Sequence, residues 1–411
     1  MKINLIIPHV AANDSEPASP ARTTRLLLRL LRAAQPISRA DLARRIKVNR
    51  STVTDIFKPL INAGLVREEA FPMAAEGNFQ GRPPIALSFA DNADFFVGLN
   101  LGVRHSQVGL TTLSGEILAE EEFETPLESG NALKLARKKI ERLCAQVSGR
   151  KLRTIGVSVP GPANAERRRL LYAPHLDWQD VDVAGALAFE TEGGNVPVIV
   201  ENDSAAAAMY EARLKLRNAT DDLLSNFILV RSGTGIGVGL VLNNEVYRGA
   251  GRAQGLAGEF GHMTIMAGGK PCVCGNRGCW EKYASAGAAT ALYSGDRQIL
   301  GGREAPRFIE IVERAESGEI RAQRSLERLG EYLGIGIANV IMGIGVQHVI
   351  VSGRLVYGWK YIEAALNEAV AKSMVGRLPG WTVECGEPKG SALGGALEVA
   401  VDEFLMKGFI V

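Results

Sequence analysis

From Thr23 onward apolar residues recur every three to four positions, with Leu26, Leu27, Leu30 and Leu31 on one face and Arg25, Arg29 and Arg32 on the other. That spacing predicts an amphipathic helix, and Pro36 ends it because the residue before a proline is pushed out of the helical region. Ser38 is placed to cap a second helix, ADLARRI, whose Leu42 and Ile46 face inward. After the short KVN, the run RSTVTDIFKPLINAGLV sets Val53, Ile56, Phe57 and Leu60 at helical spacing before Gly64 stops it. Three helices with a tight turn between the second and third make a helix-turn-helix. The next stretch, VREEAFPMAAEGNFQGRPPIALSF, reads as two strands around a Gly/Pro-rich tip, a wing. Pro59 sits badly inside the third helix, where it removes a hydrogen bond, and is expected to kink it beyond the first turns. Residues 1–20, with Ala, Ser, Pro and Asp gathered in AANDSEPASP, read as a mobile tail, and the head spans 21–90.

After Asp91 the period changes. Short apolar runs, FFVGLNLG, SQVGLTTL, TIGVSVPG, VPVIVEND, FILVRSGTGIGVGLVL and HVIVSGR, alternate with helical segments such as ALKLARKKIERLCAQV, which indicates α/β layering in two successive lobes.

Composition adds three constraints. At 411 residues with 46% hydrophobic positions the chain can bury a large core spread over two or three domains. The opening MKINLIIPHV lacks the length and cleavage pattern of a signal peptide, and no run approaches the roughly 18 apolar residues of a membrane span. With five cysteines and no export signal, a reducing cytoplasm is the expected compartment; Cys144 and Cys385 read as small buried hydrophobes. The net charge of +2 is unevenly spread: Arg22 to Arg67 holds eleven Lys/Arg against Asp41 and Asp55, a surplus of nine, while the remainder has 36 basic and 43 acidic residues. A basic head on an acidic body points to a polyanion partner for the head alone.

Three of the five cysteines stand in HMTIMAGGKPCVCGNRGCWEKY. His262, Cys272, Cys274 and Cys279 follow one another with nine, one and four residues between them, and four soft ligands in a Gly-rich loop match a closed, structural Zn²⁺ site. Unmetallated thiols clustered in this way would oxidise.

AGEFGHMTI, CVCGNRGCWE, VENDSAAAAMYEA, SVPGPAN and GTGIGVGL together resemble the ROK family of bacterial sugar kinases and sugar-responsive repressors, and the helix-turn-helix in front matches its repressor branch. The resemblance implies an α/β, actin-like and hexokinase-like two-lobe body behind an N-terminal all-α winged helix-turn-helix, with a sugar between the lobes. On this chain the first lobe is then 91–200 plus 390–411, and the second, with the zinc loop, is 201–389. Carried over motif by motif, the sugar contacts are Asn202 and Asp203 of VEND, Glu259 and His262 of GEFGH, and Glu281 of GCWEK. Carboxylates and amides suit paired hydroxyls, and His262 would bind zinc through one nitrogen while presenting the other to the sugar. Asp203 occupies the kinases' general-base position, and backbone N–H groups at the start of its helix are expected to orient it. Asn164, His175 and Trp178 are weaker candidates for the pocket.

The nucleotide side departs from the kinase pattern. Where a ROK kinase has an Asp-x-Gly-x-Thr-like loop to organise Mg²⁺ and phosphate, this chain reads Asn100-Leu101-Gly102-Val103-Arg104, and Arg354 replaces a small residue near the end. Phosphoryl transfer depends on metal neutralisation and positioning, so loss of the carboxylate argues for a retained receptor and a lost kinase. The rival reading is an ATP-dependent sugar kinase with a DNA-binding head, favoured by Asp203 and by Gly233-Thr234-Gly235.

For double-stranded DNA, the recognition helix is expected to start at Asn49 or Arg50, whose side chains cap it and approach phosphate, with Ser51, Thr52, Thr54 and Asp55 over base edges. Arg44, Arg45, Lys47 and Lys58 would meet phosphates, and Arg82 in Gly81-Arg82-Pro83-Pro84 would enter the minor groove. The whole is then a repressor acting as a homodimer or homotetramer on a palindromic operator, with a sugar or sugar phosphate as effector.

Overall fold

The computed structural model describes residues 20–70, 85–90, 94–147, 149–191, 194–218, 225–250, 255–295, 306–388 and 390–409. The tail expected over 1–20 falls outside these but for its last residue, and so does the wing tip with Arg82. In the head, α1 (Pro20–Ala34), β1 (Ile37–Ser38), α2 (Arg39–Arg45), α3 (Arg50–Asn62), β2 (Val66–Ala70) and β3 (Ile85–Phe89) follow in order. Ser38 caps α2 as expected, its Oγ accepting from Asp41 N at 3.0 Å. Asn49 precedes α3 without a side-chain cap bond, and α3 runs through Pro59 to Asn62. The wing strands pair, β2 with β3, and β1 adds a third strand on the other edge of β3, so the head is a helical domain with a small sheet and not all-α.

The core of the head runs on into the body. Leu27, Leu28, Leu30, Leu31, Val53, Phe57 and Leu87 are buried in one cluster with Phe96, Leu216, Val401 and Leu405 of the body. This is why Leu28 and Arg32, off the expected apolar stripe, are buried too: α1 is covered by its own domain on one side and by the body on the other.

The first lobe is built from β4 (Asp94–Asn100), β5 (His105–Thr111), β6 (Ile117–Glu124), α4 (Ser129–Cys144) and β7 (Lys151–Val159). The hairpin β8 (Leu170–Ala173) and β9 (Trp178–Val181), the turn α5 (Val183–Ala186) and the hairpin β10 (Phe189–Thr191) and β11 (Gly194–Val196) lead to β12 (Val198–Asn202). Helix α6 (Asp203–Asn218) follows. The second lobe has β13 (Phe227–Ser232), β14 (Ile236–Leu242), β15 (Glu245–Val246), α7 (Glu281–Ala284), α8 (Ala286–Ser294), α9 (Phe308–Glu316), α10 (Ile320–Ile344), β16 (His348–Gly353), α11 (Trp359–Ala371) and β17 (Thr382–Cys385). Helix α12 (Ser391–Phe409) is the last described element.

The two five-stranded sheets repeat one topology. The first has the order β12-β7-β4-β5-β6 and the second the reverse listing β15-β14-β13-β16-β17, so in each the first strand pairs antiparallel with the second and parallel with the fourth. Each sheet ends in a helix that crosses to the other lobe: α6 packs on β13 and β14, α12 packs on β4 and β7, and the two helices pack on each other. Two glycines permit the second crossing, since a Cβ on Gly98 would lie 2.7 Å from Leu397 N and one on Gly156 would lie 2.6 Å from Ala400 N. Helix α12 thus packs on the first sheet although it follows the second in the chain. Cys144 packs half-buried against the first lobe's core, whereas Cys385 is exposed, against expectation. Among the described residues no helix is long and apolar enough to cross a membrane.

Candidate functional site

A cleft of about 520 Å³ opens between the lobes, lined among others by Asn202, Asp203, Glu259, His262 and Glu281, so the five residues carried over from the family motifs converge. Asn202 ends β12 and its Oδ1 accepts from Ser204 N at 2.8 Å and Ala205 N at 3.1 Å, which makes it the cap of α6. With the oxygen fixed, Nδ2 must point the other way, and it donates to Gly161 O at 3.2 Å and Glu259 Oε1 at 3.3 Å. The backbone N–H groups expected to orient Asp203 are therefore spent on Asn202. Asp203 is held instead by Arg231, 2.8 Å from Oδ2, and by the Ser204 hydroxyl, which donates to Oδ1 at 3.1 Å.

Glu259 opens the short 3-10 turn Glu259–His262. Burial, and then the charges of Asp203 and Glu281, push its carboxyl up to about 7. Burial likewise holds the His262 imidazole below its ordinary value. Glu281 is the first residue of α7, 4% exposed, with Oε2 3.3 Å from His175 Nε2. Burial alone would raise its carboxyl, but the contact with His175 and the charges around it leave it below the usual carboxylate range. Gly235 makes this approach possible, since a Cβ there would strike the Glu281 carboxylate. His175 thus belongs to the cleft. Asn164 and Trp178 do not: Asn164 accepts from Arg168 N and Arg169 N in a turn, and Trp178 is 3% exposed with its indole donating to Leu127 O.

Beneath the cleft, one ligand atom each from His262, Cys272, Cys274 and Cys279 lie within 4.8 Å of one another. Cys272 Sγ is 3.6 Å from His262 Nδ1, and the sulfurs of Cys274 and Cys279 are 3.7 Å apart. Tetrahedral bonds of about 2.0–2.3 Å put neighbouring ligand atoms about 3.5–3.8 Å apart, so the donor set and its spacing fit such an ion. The loop is held without it by isolated pairings of Thr264 with Cys279 and Pro271 with Arg277. Because Nδ1 faces the sulfurs, Nε2 faces the cleft, 3.9 Å from Glu259 Oε2.

Asn100 ends β4 and is 6% exposed, its Oδ1 accepting from Ser158 Oγ at 2.9 Å. Arg104, Gly233, Thr234, Gly235 and Arg354 line the same cleft.

At the head, Asn49, Arg50, Ser51, Thr54, Asp55 and Lys58 are exposed along the start of α3 and Thr52 is half-buried. The Thr54 hydroxyl donates to Arg50 O at 2.9 Å, so it is engaged within its own helix. Arg44 and Lys47 are exposed, while Arg45 is half-buried and turns to the body, donating to Leu216 O at 3.4 Å. The polar face of α1 is also turned inward. Arg29 binds both oxygens of Asp402 at 2.7 and 2.9 Å and reaches Glu245 at 3.1 Å, Arg25 lies 3.8 Å from Glu245, and Arg32 pairs with Glu398, which Arg213 also contacts at 2.8 Å. No sequence pattern announced these pairs, because the acids come from β15 and α12, more than 200 residues away.

A winged head packed on a two-lobed body with a polar cleft is the build of a ligand-responsive DNA-binding regulator. The chain belongs to the ROK family, whose model matches residues 96–401, and a winged helix-turn-helix DNA-binding model matches residues 21–67. It is 30% identical over 360 residues to the xylose repressor of Bacillus spizizenii, covering 86% of this chain and 88% of that protein. It is 28% identical over 274 residues to a glucokinase of Halalkalibacterium halodurans, covering 63% of this chain and 80% of that protein. Among solved structures, a ROK family transcriptional regulator described as a homolog of the E. coli MLC protein shares the fold over 95% of this chain and 98% of its own, with a TM-score of 0.72 at 24% identity.

Proposed function

We propose that this chain is a sugar-responsive transcriptional repressor whose cleft binds the effector through Asn202, Asp203, Glu259, His262 and Glu281. The observation that carries the reading is His262, whose Nδ1 meets the cysteine sulfurs and whose Nε2 meets the cleft. Zn²⁺ on His262, Cys272, Cys274 and Cys279 would fix the tautomer with Nε2–H toward a sugar hydroxyl, and its role is structural. Glu259 and Glu281 are set on either side of the same loop. The similarity to a xylose repressor makes a pentose the first ligand to try.

The enzyme reading is disfavoured by two residues. Asn100 supplies no carboxylate for Mg²⁺, and both carboxylate oxygens of Asp203 already have donors, Arg231 and the Ser204 hydroxyl. In the cytoplasm, the exposed start of α3 would read a two-fold operator as part of a homodimer or homotetramer, with Arg44, Lys47, Arg50 and Lys58 on phosphates and Arg82 in the minor groove. Helices α6 and α12 would carry the signal. Each begins at the cleft, with Asp203 and Ser391, and passes beneath the head, where Leu216, Glu398 and Asp402 receive Arg45, Arg32 and Arg29. A sugar that favours one lobe arrangement must therefore also shift the head.

A gel-shift titration with and without pentoses and hexoses tests the reading, alongside Cys274→Ser. The sugar should change operator affinity of the native chain and leave that of Cys274→Ser unchanged. Sugar phosphorylation from ATP and Mg²⁺ at ordinary kinase rates would overturn it in favour of the enzyme.

A further inference from the structure

A second cavity, of about 50 Å³, lies away from the cleft where the head meets the body, and the two share no described lining residue. Its walls come from α1, α6, α12 and the hairpin of β14 and β15, with Arg248 just past it. At roughly 10–15 Å³ for each water-sized group the cavity holds about four of them, so a sugar ring is too large for it.

Its hydrogen bonding is one-sided. Both oxygens of Asp402 accept from Arg29, and those of Glu398 are divided between Arg32 and Arg213. Every carboxylate oxygen on the wall is thus already bonded, whereas the guanidiniums, with five N–H groups each, have donors to spare. Arg248 gives Nε to Glu201 at 2.6 Å and Nη1 to Val246 O at 3.3 Å, but among the described residues its Nη2 meets no acceptor beyond the Met209 thioether, at 4.0 Å. Sulfur in a thioether accepts weakly, so Nη2 is a charged donor without a strong acceptor. Met209 and Arg213 stand one turn apart on α6, and Arg213 makes a single side-chain bond among the described residues, to Glu398. Leu216, Val241, Val246 and Leu405 make the rest of the wall apolar. Spare cationic donors beside an apolar wall suit an anion with a short alkyl tail.

We propose that this cavity is a second ligand site, for a short-chain carboxylate of about three to five non-hydrogen atoms, whose charge meets Arg248 beside Met209 and whose alkyl end lies on the apolar wall. Helix α1 supplies Arg29 and Arg32 to that wall, so the site is complete only while the head rests on the body. A ligand there binds the docked arrangement better than any other and therefore favours it. It acts on the head without entering the cleft, and the proposal stands whether or not the cleft binds a sugar.

Calorimetry on the full chain at constant ionic strength tests it with formate, acetate and propionate, with propanol and propylammonium as the neutral and cationic counterparts of propionate, and with benzoate as an anion too large to enter. At least one of the three short carboxylates should bind with a millimolar or lower dissociation constant and raise the melting temperature, because it binds the native state alone. Arg248→Met should weaken that binding roughly tenfold or more, the loss of one charge-assisted bond, while Glu201 keeps Arg167 at 3.0 Å and the fold is retained. Ala212→Leu fills the cavity and leaves every charged group in place, and it should abolish binding, with circular dichroism confirming an intact fold. Propanol or propylammonium binding as tightly as propionate overturns the choice of a carboxylate, and benzoate binding as tightly overturns the choice of cavity. Carboxylate binding unchanged in both variants places the anion elsewhere, and no binding of formate, acetate or propionate overturns the site outright. A carboxylate that binds in the cavity yet leaves duplex affinity unchanged in a gel shift keeps the site and overturns its coupling to the head.

Discussion

On α1, Arg25, Arg29 and Arg32 meet Glu245, Asp402 and Glu398 of the body, whereas on α2, α3 and the turn between them Arg44, Lys47, Arg50 and Lys58 are exposed. Both faces contribute to the surplus of nine positive charges that suggests a polyanion. The second is the one exposed to solvent. Arg22 donates to Asn243 O at 2.9 Å, Arg39 pairs with Glu68, and Arg45 faces Leu216, so these three, like the three on α1, are engaged by partners distant in the same chain. A charge count over a segment shows that cations are present, and it leaves open whether their anions are in another molecule or elsewhere in the same one.

The sharpest way to break this distinction is Arg32→Ala. Arg32 and Glu398 are 4% and 8% exposed, and losing one partner of a buried pair costs about 3–5 kcal/mol when the other is left unpaired, a ceiling here because Glu398 keeps Arg213 at 2.8 Å. Urea denaturation should show that loss, and Arg32→Met with Glu398→Leu should recover most of it, because Arg213, freed by the second change, is 27% exposed and can turn to water. A loss no larger than that of an exposed substitution would mean the face is not a clamp.

Next in size is a pH effect at Asp402. Burial alone would raise its carboxyl, yet the charges and hydrogen bonds of Arg29, with Arg248 and Arg167 behind it, hold it below the ordinary value. A depressed folded value means that the ionised form stabilises the native state above the unfolded value of about 3.9, and that this is lost as pH falls through the folded value. Unfolding midpoints measured from pH 5 to pH 2 should fall less steeply for Asp402→Asn than for the native chain. Parallel curves would remove Asp402 from the clamp.

On the exposed face the expected effects lie in binding and not in folding. Arg50→Ala and Lys58→Ala should each weaken binding to any duplex, specific or not, and reduce the slope of log affinity against log salt by about 0.9 for each phosphate no longer neutralised. Stability should stay within about 0.5 kcal/mol of the native chain. An unchanged salt slope would place the DNA elsewhere.

Much of this was legible in the chain, for reasons that differ by region. The leucine spacing of α1 and the Ser38 cap are local, so period and cap chemistry found them. The residues proposed for sugar and metal could be named because VEND, GEFGH, CVCG and GCWEK each keep two of them within a few positions, and the fold brings them together. Sequence could not show that Asn202 caps α6 and so turns its amide to Glu259, since Asn202 and Asp203 are equally able to cap. Nor could it pair His175 with Glu281 across 106 residues or Arg231 with Asp203 across 28. The swapped packing of α6 and α12, which decides where the head rests, is a property of the closed fold.

The smallest expected effect tests whether a local partner matters on the exposed face. Arg44 pairs with Asp41 one turn back at 2.7 Å, and Asp41 in turn accepts from Ser38 Oγ at 2.7 Å. An exposed pair of this kind contributes about 0.2–1 kcal/mol, so Arg44→Ala should change stability little. Its effect on DNA should be smaller than that of Arg50→Ala, because a phosphate would have to take Arg44 from a carboxylate already in place. Asp41→Asn keeps the contact to Ser38 and removes the competing charge, and it should therefore tighten duplex binding slightly at low salt. If Arg44→Ala weakens binding as much as Arg50→Ala and Asp41→Asn changes nothing, the pair opens freely on DNA, and the difference between the two basic faces reduces to burial alone.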